Sequence, residues 1–295
     1  MMCQGGFDTT ANVVRRTAPM KLPHALAIAS LLMALLPAAW AFESGDELAQ
    51  VFAEKVAPRL EVPRLEQQKY AEGLRLILTG AAMSGLPPQF FVVVDRNPNV
   101  QAAMIYWKSP SDEYRFIGAT PASTGKVGAY EHFETPTGIF EHSIGNRDFR
   151  AEGTKNAQGV RGYGKKGMRV FDFGWQQAAR GWGKEGESAM RLQMHATDPD
   201  LLEPREGSPQ SKGCVRIPAA LDVFIDHYGI LDADYEEEAA AGKTSRVLSP
   251  DRETTPWSGR YLVVVDSGRE ERPAWSPPRV QREADSGACR EENAE

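Results

Sequence analysis

The sequence predicts a mainly β domain, built as a sandwich, behind a short helical segment. Two observations carry this. Short runs rich in β-branched and aromatic residues, punctuated by glycine and proline, recur from Gln89 to Ser267. Three- and four-residue apolar spacing is confined to a few stretches.

The helical stretches come first. "DELAQVFAEKVAPRL" and "LEQQKYAEGLRLILTGAAMSG" repeat apolar residues on one helical face, and Pro58 and Pro63 separate them. Pro87-Pro88 ends this pattern. "FFVVVDRNPNVQAAMIYW" then reads as a hairpin with an Arg-Asn-Pro-Asn turn. Further strands are expected at "YRFIGATPAS", "TGIFEHSIG", "GMRVFDFGW", "MRLQMHA" and "GRYLVVVDS", with a helix at "ALDVFIDHYGIL". From Gly268 the chain is polar and proline-bearing, so a disordered tail is expected.

Composition excludes several classes. The 295 residues are 41% hydrophobic and 25% charged, which argues against a coiled coil or global disorder. A net charge of −6 gives no attraction to nucleic acid. No ligand spacing suggests a metal, no cofactor motif is present, and His132, His142 and His227 read as structural histidines, with His132 or His142 beside the Thr-Pro-Thr-Gly segment as the alternative cleft-lining residue. The carboxylates of "DYEEE" read as a solvated face.

The first 41 residues read as a secretory signal peptide. Arg15, Arg16 and Lys21 precede the apolar run "ALAIASLLMALLPAAWA", and Met20 offers an alternative start. The predicted organisation is therefore signal 1–41, helical segment 42–86, main β domain 87–266 and tail 267–295. Cleavage would leave no transmembrane segment and place the chain in the periplasm. An uncleaved anchor is the alternative.

Export sharpens the meaning of Cys214. The chain has three cysteines, and Cys3 and Cys289 lie near the termini. An unpaired thiol in an oxidising compartment is either buried and inert or retained for its reactivity. Cys214 follows Ser211-Lys212-Gly213 and precedes Val215-Arg216, nineteen residues after His195 at the end of a predicted strand. A histidine near a thiol supplies the base that nucleophilic catalysis needs. Gly213 permits a tight turn whose backbone N–H groups would hold an oxyanion, and a helix starting after Pro218 would add positive potential.

These residues carry a resemblance. His195 followed after fifteen residues by "SKGCVR" resembles the signature of the L,D-transpeptidase catalytic domain (YkuD-type) family. "STGKVGAYEHFETPTGIF" resembles its strand-and-loop segment, and "FVVVDRNPNVQAAMIYW" its opening hairpin. The resemblance spans about residues 89 to 218 in the family's order. It departs in two places: Lys212 stands where many members have histidine, and Ala196 where many have glycine.

The resemblance implies a β-sandwich of mixed sheets with a cleft over the cysteine, acting on peptidoglycan stem peptides in cell-wall cross-linking or remodelling. Cys214 would attack the carbonyl of the third stem residue and expel D-alanine, leaving a thioester that an amine or water resolves. His195 would carry the proton. Ser211 and Gly213 would shape the turn and, with the Cys214 backbone, the oxyanion site. Arg216 and Lys212 are the candidate substrate-binding residues, Arg216 for a carboxylate; its alternative is an ion pair with an acid such as Asp222. An L,D-carboxypeptidase or amidase, and a non-catalytic peptidoglycan-binding protein, are the competing readings. Carbapenem-type inhibitors are expected to acylate the thiol.

The glycine-rich stretch 147–187 contains Tyr163, Trp175 and Trp182. It reads either as a lid, with Arg161, Lys165 and Lys166 facing an anionic substrate, or as a surface loop packed on the sandwich. The orienting partner of His195 is open between a side chain and a backbone carbonyl.

Overall fold

β1 (Gln89–Asp95) and β2 (Ala102–Lys108) form the expected antiparallel hairpin, and both are buried along their whole length. A strand without polar alternation needs an apolar layer on each face of its sheet. Both layers are present. Phe90, Val92 and Val94 enter a core shared with a second sheet, while Phe91 and Val93 enter another with Leu74, Leu78 and Trp275. The computed structural model describes residues 44–278. The predicted signal peptide lies outside them.

Two helices precede the hairpin, α1 (Gly45–Lys55) and α2 (Arg64–Gly80). Leu48 and Phe52 of α1 belong to the inter-sheet core, and α2 covers the opposite face of the first sheet with Leu74 and Leu78. The helical prefix is thus integral to the β domain. α1 approaches closely because Gly118 faces it: a Cβ there would lie 2.2 Å from the Phe52 ring. Each fully buried Phe or Leu contributes about 1.5–3 kcal/mol relative to exposure.

The remaining strands are β3 (Tyr114–Pro121), β4 (Gly138–Glu141), β5 (Phe149–Arg150), β6 (Arg169–Ala179), β7 (Glu187–Ala196), β8 (Val215–Ile217) and β9 (Tyr261–Val265). The first sheet has order β3-β2-β1-β9-β4, with β1 and β9 parallel. The second has order β5-β6-β7-β8, with β7 and β8 parallel. Among the described residues the fold is therefore mainly β, with two mixed sheets and four helices, the last two being α3 (Ala219–His227) and α4 (Ala233–Ala240). No helix among the described residues is long and apolar enough to cross a membrane.

Two expectations require correction. Within residues 268–278 the stretch 275–277 is buried and Arg272 is held, contrary to a tail disordered from Gly268. Trp275 is buried edge-on to Tyr70, and Arg272 hydrogen-bonds the carbonyls of Pro98 and Gly207. Low apolar content concealed a segment held by one aromatic anchor and one guanidinium. Residues 279–295 lie outside the described part. The second concerns "DYEEE", which is part of α4: Tyr235 is buried, Asp234 and Glu237 pair with Arg260, and Glu236 pairs with Arg252.

α4 also closes a buried charge cluster. Arg169 is fully buried and binds Asp148, Asp226 and Asp232, while His142 bridges Asp148 and the Leu231 carbonyl. A buried guanidinium is tolerated because its donors meet carboxylates in good geometry. His142 is thereby structural. No group of three or more His, Cys, Asp or Glu among the described residues is arranged to hold a metal ion.

Candidate active site

Strand alternation decides what the second sheet presents outward. Leu192 and Met194 of β7 and Val215 and Ile217 of β8 enter the shared core. Gln193 and His195, and Arg216 with the adjoining Cys214, therefore lie on the opposite face. The parallel register sets Met194 beside Val215 and His195 beside Arg216, so Cys214, two positions before Arg216, enters this face. Two residues nineteen apart in sequence thus share one surface.

His195 is buried, and its Nδ1 meets the Ala196 carbonyl at 2.6 Å. A carbonyl only accepts, so Nδ1 carries the hydrogen and Nε2 is left with its lone pair. The orienting partner is a backbone carbonyl. Burial, and secondarily the nearby Arg216 guanidinium, hold the imidazole down to about 4, so it is neutral at pH 7. Burial raises the Cys214 thiol, against smaller lowering contributions from the Gln193 backbone and Arg216. At rest the thiol is neutral, with Sγ 3.9 Å from the Arg191 carbonyl, and the imidazole is neutral. Such a pair transfers its proton as the nucleophile attacks, and does not store a thiolate beforehand.

Two of the three sequence segments that carried the resemblance meet at the turn before Cys214. Ser123 and Arg216 exchange backbone hydrogen bonds, joining the end of the hairpin sheet to β8. Gly125 lies against the turn so closely that a Cβ would meet the Phe133 carbonyl oxygen at 2.0 Å. Thr135 is fully buried; its hydroxyl accepts the Gly125 N–H at 2.8 Å and donates to the Gly213 carbonyl at 2.7 Å. Ser211 Oγ donates to the Cys214 carbonyl at 2.6 Å and accepts the Gly213 N–H at 3.0 Å.

That last bond revises part of the expected oxyanion site. The Gly213 amide is occupied by Ser211, so both residues shape the turn in the resting protein. Gly213 has φ +131°, and a Cβ there would meet Met190 Sδ at 2.8 Å. Only glycine fits without strain.

Other candidates are placed as follows. Lys212 is exposed and reaches Glu131 at 3.5 Å, a solvated pair of little energetic weight. Arg216 does not pair with Asp222, whose carboxyl accepts the Arg169 N–H instead. The acid whose field reaches Arg216 is Glu206, a buried carboxyl that burial raises well above its usual range. The α3 N-terminus gives its Ala219 N–H to Glu203, and β8 separates it from Cys214. Arg161 binds Asp198 through both its backbone and its guanidinium, so it is not directed at a substrate. Trp182 packs on Phe133 and Tyr130, whereas Trp175 is 66% exposed.

Two residues not singled out from sequence, Asp172 and Gln193, complete the face together with Tyr163 of the glycine-rich stretch. Asp172 of β6 stands opposite Gln193 and accepts from Gln193 Nε2 at 2.9 Å and Arg191 Nε at 2.7 Å. Tyr163 donates its hydroxyl to Gln193 Oε1 at 3.1 Å and meets the His195 ring edge-to-face at 4.7 Å. Outward parity on β6 and β7 was the available signal for Asp172 and Gln193.

No protein-family model and no curated protein matches the chain. Among solved structures, the chain is similar to a point mutant of the helical cell shape determining protein Pgp2 from Campylobacter jejuni, at 13% identity and a TM-score of 0.28. The match covers 77% of this chain and 56% of that one. A likeness of that size carries no argument about activity.

Proposed function

We propose that the protein is an exported cysteine L,D-transpeptidase acting on peptidoglycan stem peptides in the periplasm. The observation that supports this best is that Cys214, next to β8, and His195 of β7 lie on the same outward face of adjacent parallel strands, with His195 Nδ1 tied to Ala196 and Nε2 left as base. The "SKGCVR" and "STGK…TPTG" resemblance supplies the substrate class.

In this reading Cys214 Sγ attacks the carbonyl of the third stem residue while His195 Nε2 takes the thiol proton. The imidazolium then protonates the departing D-alanine amine, and the thioester forms as the amide C–N bond breaks. An amine from a second stem repeats the sequence in reverse. The turn amide of Cys214 faces the developing oxyanion, and Arg216 engages a substrate carboxylate.

The test is mass spectrometry of disaccharide-tetrapeptide muropeptides incubated with the protein and with Cys214→Ala. Cross-linked dimers or exchanged terminal D-amino acids, absent with the variant, are expected. Shortened stems alone would make the enzyme a hydrolase on the same scaffold. No product from either would return the reading to a peptidoglycan-binding protein.

A further inference from the structure

We infer that Tyr163 is a latched lid over the catalytic base, closed by Gln193 and Asp172, which keeps His195 dry and single-tautomer while the thioester waits for its amine. The inference rests on the reading of His195 as base, and it adds a positioning unit, Asp172-Gln193-Tyr163, to that reading.

The geometry is continuous. Asp172 is 1% exposed and is held from three directions, by Arg191 Nε, Gln193 Nε2 and the Gly174 N–H. These bonds fix the Gln193 amide so that its Oε1 faces outward, where it receives the Tyr163 hydroxyl. A glutamine locked by a carboxylate at one end presents a defined acceptor at the other. The Tyr163 ring then lies edge-to-face on His195 at 4.7 Å and on Phe149 at 5.4 Å.

The lid also has room to open. The free side of Tyr163 is Gly162, where a Cβ would meet nothing within 4 Å, whereas Gly164, at φ +80°, is an anchored pivot whose Cβ would lie 2.6 Å from Met168 Sδ. An open cleft of about 610 Å3, lined by Phe149, Glu152, Asn156, Val160 and Tyr163 itself, adjoins the ring. Release of one hydrogen bond would let the ring leave His195 for this space. A substrate amide or amine that competes for Gln193 would be such a trigger.

The groups around His195 are Tyr163 from the lid, Arg216 beside it on β8, and Asp172 on β6 through Gln193, with Cys214 on the same face. Arg216 disfavours the imidazolium, but burial is the larger cause of its low proton affinity. Removing the ring therefore hydrates His195 and raises its proton affinity.

The experiment is a pH titration of the full chain, histidine-labelled for NMR, in wild type, Tyr163→Ala, Tyr163→Phe and Gln193→Met. Buried His142 serves as the internal reference for an intact fold. The wild-type His195 midpoint is expected near about 4. Tyr163→Ala moves it upward by about one unit or more, toward the ordinary histidine value. Tyr163→Phe and Gln193→Met, which remove only the latch, move it in the same direction by less. An unmoved midpoint in all three variants overturns the lid. Movement in Tyr163→Ala alone overturns the latch.

A second readout is the ratio of hydrolysed to cross-linked muropeptides, which rises in Tyr163→Phe if the closed lid excludes water. An unchanged ratio beside a shifted midpoint contradicts water exclusion. A shifted midpoint in a protein that turns over no muropeptide leaves the latch standing and removes the proposed function.

Discussion

Thr135 and Gly213, 78 residues apart, are joined by a 2.7 Å hydrogen bond from the threonine hydroxyl to the glycine carbonyl. The same hydroxyl accepts the Gly125 N–H. One buried side chain therefore clamps the loop after β3 to the turn that carries Cys214. Thr135→Val keeps the shape and deletes both bonds, leaving a buried amide and a buried carbonyl unsatisfied. A loss of about 2 kcal/mol in stability is expected, with a fall in the rate of Cys214 acylation larger than in binding. Chemical denaturation and single-turnover kinetics check this.

Gly213→Ala strains the same turn from within. Its φ of +131° and the approach of Met190 and Phe133 leave no place for a methyl group. The expected penalty is about 1–3 kcal/mol, with activity lost more completely than stability. Thermal melts beside muropeptide turnover separate the two.

His195 gives the fold an acid limit. Its folded value near about 4 lies below the ordinary 6.5. Between those values the unfolded chain binds a proton that the folded chain refuses, so stability falls as pH drops through this window and levels off below it. The expected contribution is about 3 kcal/mol. His195→Gln should flatten this part of the stability–pH curve, measured by urea unfolding from pH 7 to pH 4.

Asp222 has the opposite sign. Burial raises it to about 8 from the ordinary 3.8, so the folded chain holds a proton that the unfolded chain has lost. Stability from this group is lost as pH rises through that window and is fully lost above about 8. Asp222→Asn, which keeps an acceptor for the Arg169 N–H, is expected to unfold at higher urea than wild type at pH 9, and near wild type at pH 4.

Much of this architecture was legible in the sequence, for identifiable reasons. The β1–β2 hairpin followed from a continuous apolar run broken by one turn, and β7 from its alternation. Cys214 and His195 stood out because their residue types and their spacing suit nucleophilic chemistry. β5 and β8 were too short for any period to register, with two and three residues. Asp172, Gln193 and Thr135 were missed because their roles come from register and from contacts across the fold. The packing within 268–278 was missed because composition does not reveal where a single tryptophan will dock.

Trp275 tests that last correction. Trp275→Ala empties its place beside Tyr70 on the outer core, and a loss of about 3 kcal/mol is expected. A melting temperature equal to wild type would return residues 268–278 to the disordered state first expected of them.

The most direct measurement of the central claim is intact-protein mass spectrometry after brief exposure to a stem tetrapeptide, with Cys214→Ser alongside. The account predicts a mass gain equal to the tripeptide acyl group, mapped to Cys214, removed by hydroxylamine and slow to form in His195→Ala. An unmodified protein whose Cys214 thiol is shown to be free, under conditions where a carbapenem also leaves no adduct, would contradict it.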